Sequence, residues 1–281
     1  MTTAVDHLKP VSFFRYTVTS FLMSLITTVR QKRIILAAVI ALLPVVLPLA
    51  VAFFDAGRFA QPGGPVFTRI VEYLYLRAIV PLLAIFFGCM LIGEDVETNT
   101  MPFILTRPIS RFAWVVGKFL AYLVVASAML VSALVLTFAA CTVLSDFGFS
   151  GSNLILLEHY AALGIFGLIA YGAFCTFLGA TVKRPIVVAV IFIIPWQRIA
   201  LTMPGYMELF TIEKYINELL PVLPTAREQL KVRLGDVTIV KEAIPVSGPV
   251  AILTLLVISL VFLYLARLAL TMREFTQGRT G

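Results

Sequence analysis

The sequence predicts an all-α polytopic membrane protein: six transmembrane helices, an N-terminal interfacial elbow helix and a large extracytoplasmic loop before the last helix. Three observations carry that prediction. Hydrophobic side chains make up 60% of the 281 residues and charged ones only 13%, far outside the range of soluble domains. Uninterrupted apolar runs recur at the length a bilayer demands, since a hydrocarbon core about 30 Å thick takes roughly 20 helical residues. Basic residues cluster beside alternate ends of those runs, the pattern of cytoplasmic loops.

Taken in order, residues 12–30 come first. Phe14, Val18, Phe21, Leu25 and Val29 recur every three or four positions, while Arg15 and the threonines leave the other faces polar. This is the pattern of a helix lying along the inner leaflet rather than of a further span. The six spans fall at about 34–54, 73–92, 113–144, 160–182, 186–203 and 248–270. The third is long enough to tilt or to extend past the membrane. Gly164, Gly167, Gly172 and Gly179 mark the fourth as a helix that its neighbours approach closely. Pro195 and Arg198 interrupt the fifth.

Residues 204–247 form the extracytoplasmic loop. Its first part, YMELFTIEKYINELL, places Leu209, Ile212, Ile216 and Leu219 on one helical face, to rest on the outer surface or dip back into it. Its second part has prolines, a Gly-Asp turn and a short Val/Ile run, and is expected to form a small cap. With no internal repeat, residues 1–281 are one membrane domain.

Charge sets the orientation. The net charge is +7, and Arg30, Lys32 and Arg33, Arg107, Arg111 and Lys118, Lys183 and Arg184, and Arg267, Arg273 and Arg279 all lie beside one set of span ends. That places both termini in the cytoplasm of a cell (inner or plasma) membrane, with the basic excess facing anionic lipid and no nucleic-acid partner. Lys214, Arg227, Lys231, Arg233 and Lys241 run against the rule, but long loops cross with less regard for charge. The first thirty residues carry Asp6, Lys9 and Arg15 and lack the compact apolar core of a cleavable signal peptide.

Chemistry within the spans is sparse. Cys89, Cys141 and Cys175 share no metal-ligand spacing, His7 and His159 are the only histidines, and the soft pair Cys89-Met90 has no third ligand, so no metal site or cofactor is expected. The paired Asp, Ser-His or H-E-x-x-H sets of an intramembrane protease are missing from the spans. Lys118 and Arg267 lie near the inner face and Arg77 near the outer, within reach of water by snorkelling. Arg198, just after Pro195-Trp196, is a candidate pathway residue on a broken helix or an interface anchor beside Trp196.

Between the second and third spans stands GEDVETNTMPFILTRPISR, residues 93–111. Glu94, Asp95 and Glu97 are expected in a first helical turn, where carboxylates meet the positive end of the helix dipole. Pro102 limits the helix, Arg107-Pro108 breaks it, and Ser110 is placed to cap the third span. The expectation is a short polar helix across the membrane surface, held at both ends by spans.

This pattern resembles the type-2 ATP-binding-cassette (ABC) transporter permeases, an exporter-type family. The resemblance rests on Glu94, Asp95, Glu97, Thr100, Ile104, Leu105, Arg107, Pro108, Ile109, Arg111, Gly117 and Lys118, with Asn99 a departure from the family's pattern. In that family the loop is the coupling helix that docks on the nucleotide-binding subunit. The resemblance therefore implies an ATPase-coupling loop built from Glu94, Asp95, Glu97, Thr98, Thr100, Arg107, Pro108, Ser110 and Arg111. It also implies a partner ABC ATP-binding subunit, a second permease copy in a homo- or heterodimer, and export as the direction. The chain itself is not expected to be an enzyme: Gly117-Lys118 fails the G-x-x-x-x-G-K-[ST] cradle, with Phe112 and Phe119 at the flanking positions, so ATP would be used by the partner. The alternative is a secondary transporter without an ATPase, which suits six helices and an intramembrane arginine but leaves the acidic, proline-broken loop unexplained.

Overall fold

The computed structural model describes residues 13–54, 63–97, 111–144, 148–202, 206–221, 231–234, 237–240 and 246–277. Among the described residues five helices are long and apolar enough to span: Arg33–Ala50, Gly64–Gly93, Arg111–Leu144, Gly151–Thr181 and Gly248–Met272. They correspond to the first, second, third, fourth and sixth expected spans. The fifth is a helix over Pro185–Thr202 whose apolar stretch, Pro185–Gln197, is shorter.

The N-terminal helix α1 covers Phe13–Arg30. The first span is α2 (Arg33–Leu42), a single tight turn at Leu43–Val45 around Pro44, and α3 (Val46–Phe54). The second begins at α4 (Gly63–Ile70) and runs through a wide-turned stretch Val71–Ile79, α5 (Val80–Leu83) and a second wide stretch Ala84–Gly88 into α6 (Met90–Glu97). Those wide π turns bracket Pro81, which lacks an N–H and crowds the preceding turn. Then follow α7 (Arg111–Leu144), α8 (Gly151–Thr181), α9 (Pro185–Thr202), the short α10 (Ile212–Glu218) and α11 (Gly248–Gln277). Strands β1 (Lys231–Leu234) and β2 (Val237–Val240) pair antiparallel with Leu234 opposite Val237, so only Gly235 and Asp236 separate them. This hairpin is a small addition to an otherwise helical chain.

Two spans start about nine residues earlier than hydropathy suggested, Gly64 against 73 and Gly151 against 160. The polar residues that truncated the apolar runs are absorbed by pairing: Tyr160 donates to Glu72 Oε1 at 2.8 Å.

Helix α8 is the centre of the bundle, and its glycines are why. A Cβ at Gly172 would lie 2.3 Å from Tyr122 Cε1, at Gly164 2.5 Å from Leu130 Cδ2, and at Gly179 2.6 Å from the Cys89 carbonyl oxygen. With lipid as apolar as the core, helix association depends on such packing and on interhelical hydrogen bonds. Buried tyrosines supply the latter. Tyr75 donates to the Ala133 carbonyl at 3.1 Å, Tyr122 to the Leu168 carbonyl at 2.9 Å, and Tyr171 to Gln197 Oε1 at 2.6 Å.

Helix α1 packs along the start of α7 chiefly through its small hydroxyl residues, with only part of its apolar stripe. Thr17, Ser20 and Ser24 face the protein: Ser20 Oγ donates to the Trp114 carbonyl at 3.1 Å, and a Cβ on Gly117 would sit 2.6 Å from the Thr17 carbonyl oxygen. Of the expected stripe Phe14, Val18 and Val29 stay exposed, with Leu22 and Ile26 beside them, whereas Phe21 and Leu25 are half-buried and Leu25 packs against the core. Apolar side chains gain nothing by exchanging lipid for protein, whereas small hydroxyl residues allow the backbones to close up.

Candidate functional site

The acidic stretch is placed differently from the expectation. Glu94, Asp95 and Glu97 form the last turns of α6, the helix that ends the second span, rather than the first turn of a separate helix. Carboxylates there meet the negative end of the helix dipole, which is unfavourable unless a cation answers it. Lys118, two turns into α7, does so. Its ammonium donates to the Leu91 carbonyl at 2.9 Å, pairs directly with Asp95, and lies 4.6 Å from the centre of the Trp114 ring. Lys118 therefore does not snorkel to solvent; it turns inward and ties the end of the second span to the start of the third.

Other helix ends converge on this point. Gly93 lies against Pro185, a Cβ there falling 3.3 Å from the ring, so the junction of α8 and α9 abuts the end of α6. The Arg267 guanidinium of α11 sits 6.0 Å from the Phe112 ring and 5.9 Å from that of Tyr264. Arg111 opens α7. The N-terminal helix, the junction of the second and third spans, that of the fourth and fifth, and the last turns of α11 thus share one end of the bundle. Thr98, Thr100, Arg107, Pro108 and Ser110 lie outside the described residues, as do the side chains of Glu94, Glu97 and Arg198.

At the opposite end the chain after α9 dips back into the protein. Residues Tyr206–Phe210 form one tight turn and α10 follows, with Glu208, Glu213, Lys214, Tyr215 and Ile216 buried. Ile216 reaches the middle of α8, its Cδ1 lying 3.2 Å from where a Gly167 Cβ would stand. The buried charges are matched: Lys214 bridges Glu208 at 3.1 Å and Glu218 at 2.7 Å, and Arg77 Nε reaches Glu213 Oε1 at 3.2 Å. His159 Nε2 lies 3.0 Å from the Leu219 carbonyl oxygen. Arg77 is therefore anchored to α10 instead of snorkelling. Lys214, which ran against the positive-inside pattern, is neutralised by its own neighbours. The spacing of Lys214 and Glu218 in IEKYINE was the available signal for this network, since residues four apart share a helix face.

The two ends differ in kind. One is a set of matched charges joining Arg77 of the second span, Glu208 and α10; the other is a junction where Lys118 joins the end of the second span to the start of the third. The family model described as ABC-2 family transporter protein matches residues 25–275 of the chain. No curated protein matches it.

Proposed function

The chain belongs to the ABC-2 transporter family, and on that premise we propose that it forms the transmembrane substrate pathway of an exporter driven by a separate ATP-binding subunit. It is a multi-pass membrane protein and a permease of that family. In our reading residues 93–111 are the surface on which the ATPase docks, and both termini and this loop face the cytoplasm of the cell membrane. The observation that carries the reading is the Lys118–Asp95–Leu91 junction, because a docking loop moves helices only if its root is fixed to them.

A second permease copy completes the pathway in this reading. Its support is the outward apolar face of the first span and of α9, where Ile35 is 66% and Ile191 64% exposed, available to lipid or to a partner helix. Arg198 stays a candidate pathway residue because α9 carries Pro195 within the helix. Family membership favours this over a secondary transporter that works without an ATPase.

The test is pull-down of the ATP-binding subunit by the wild-type chain and by a Glu94→Lys, Glu97→Lys variant. Wrong-sign contacts at an interface cost several kcal/mol, whereas at the C-terminal end of α6 a lysine in place of a glutamate favours the helix dipole by about 0.3–1 kcal/mol. Normal membrane insertion with loss of the co-purifying ATPase and of transport is the expected result. Undiminished association with full transport would reduce residues 93–111 to a connector.

A further inference from the structure

Cys89, Cys141 and Cys175 share no spacing in the sequence, but the fold brings two of them together. Cys89 stands in the second span between the wide stretch Ala84–Gly88 and α6, Cys175 stands in α8, and their thiols are hydrogen-bonded to each other. We propose that this pair is an oxidative modification site, which hydrogen peroxide converts into a disulfide tying the second span to the fourth.

The two backbones come close enough for such a bond. A Cβ at Gly88 would lie 2.8 Å from Cys175 Cβ and 3.3 Å from the Gly172 carbonyl oxygen, and one at Gly179 would lie 2.6 Å from the Cys89 carbonyl oxygen. Glycines on both helices thus remove the side chains that would hold them apart. A disulfide needs its two Cβ atoms about 3.5–4.5 Å from each other, which facing helices reach only at contacts of this kind. Cys141 is buried too, but it lies in the last turn of α7, at the other end of the bundle.

Both thiols are 0% exposed, so bulky oxidants are excluded and reaction is slow. A small oxidant can come near. A cavity of about 50 Å³ is bordered by Phe87 and Met90, which bracket Gly88 and Cys89, and by Tyr122, which interacts with both thiols. One water needs roughly 10–15 Å³ of such volume, and hydrogen peroxide is little larger than water. In the first step the Cys89 sulfur attacks a peroxide oxygen: the O–O bond breaks, a sulfenic acid forms, and water leaves with the thiol proton. In the second the Cys175 sulfur attacks the sulfenic sulfur: the S–S bond forms, the S–O bond breaks, and a second water leaves. The two thiols give up two electrons, and one peroxide is reduced to two waters. The product fixes the helix that leads into α6 and Asp95 against α8, so the second span can no longer part from the fourth.

The experiment uses the full chain in phospholipid nanodiscs, treated with hydrogen peroxide, then unfolded and alkylated. Free thiols should fall from the three of the untreated chain to Cys141 alone, and digestion should yield a peptide linking residues 89 and 175 that dithiothreitol separates. Cys141→Ala should still form the link, whereas Cys89→Ala and Cys175→Ala should each keep both remaining thiols. The oxidised wild type should unfold at a higher temperature than the reduced one, because a crosslink closing so long a loop restricts the unfolded chain. The wild-type thiol count needs no substitution, so a variant that fails to fold does not remove the test. Three alkylated thiols at a peroxide dose that oxidises the same chain once unfolded, a link that involves Cys141, or oxidation that stops at a sulfenic acid would each overturn the site. An oxidised chain whose unfolding temperature does not rise would overturn the tie between the spans.

Discussion

Replacing Lys118 by methionine isolates the junction that holds the second and third spans together. At about 4 Å and an effective dielectric near 20, the Coulomb attraction of such a pair is about 4 kcal/mol. Part of that is cancelled by ordering and desolvation: exposed pairs are worth about 0–1 kcal/mol, whereas breaking a buried pair costs about 3–5 kcal/mol. The Lys118 and Asp95 side chains are 16% and 21% exposed, which places them between these limits. Lys118→Met should therefore cost about 2 kcal/mol, because Asp95 is then left facing the negative end of its own helix. Asp95→Asn should cost less, about 1 kcal/mol, since Lys118 keeps the Leu91 carbonyl and the Trp114 ring.

The assay is thermal unfolding of the detergent-purified chain, with both single variants and the double variant forming a cycle. A loss of about 2 kcal/mol corresponds to a drop of about 4–8 °C for a chain of this size. The double variant should fall short of the summed single losses by about 1 kcal/mol, the signature of a direct interaction. Strict additivity, or a Lys118→Met variant as stable as wild type, would show that the pair does not hold the junction.

Gly172→Ala should destabilise the bundle by about 1–3 kcal/mol or more, because its Cβ would fall 2.3 Å from the Tyr122 ring, and loss of monodisperse protein on gel filtration would report it. Arg77→Met removes a partner of Glu213, whose side chain is 6% exposed, and should speed hydrogen exchange in residues 206–218 while leaving the Lys118 junction unchanged. A cytoplasm-dependent reporter fused to the C-terminus should be active; activity only outside the cell would reverse the orientation. A cysteine at Thr19, an exposed position of α1, should not react with an impermeant reagent added outside.

What the sequence made legible follows from the solvent. Apolar length located five of the spans, and the glycines of α8 announced close packing, because lipid imposes both constraints on composition directly. Polar partners were not legible, since they come from residues far apart in the chain. The second span was read as starting at 73, which leaves Glu72 outside it, and Arg77 was read as snorkelling, yet Tyr160 and Glu213 draw both into the protein, and the second span lengthens accordingly. The apolar stripe of α1 was visible, but periodicity alone cannot say whether a stripe faces protein or lipid. Here the small hydroxyl residues took the protein side.

The carboxylate cluster shows the same limit in electrostatic form. An acidic run just after an apolar span can begin a new helix or finish the old one, and the dipole argument favours the first only while no cation is near the second. Lys118 lies 23 positions beyond Asp95 in sequence yet bonds to it directly, so the acids can end the second span at little cost. That changes what the loop does. In the coupling proposed for this chain, a force on residues 93–111 would reach two helices at once, because Asp95 at the end of the second span is paired with Lys118 of the third, and both spans pack against the glycine face of α8. The coupling proposed for this chain therefore depends less on the helix character of residues 93–111 than on the single lysine behind them.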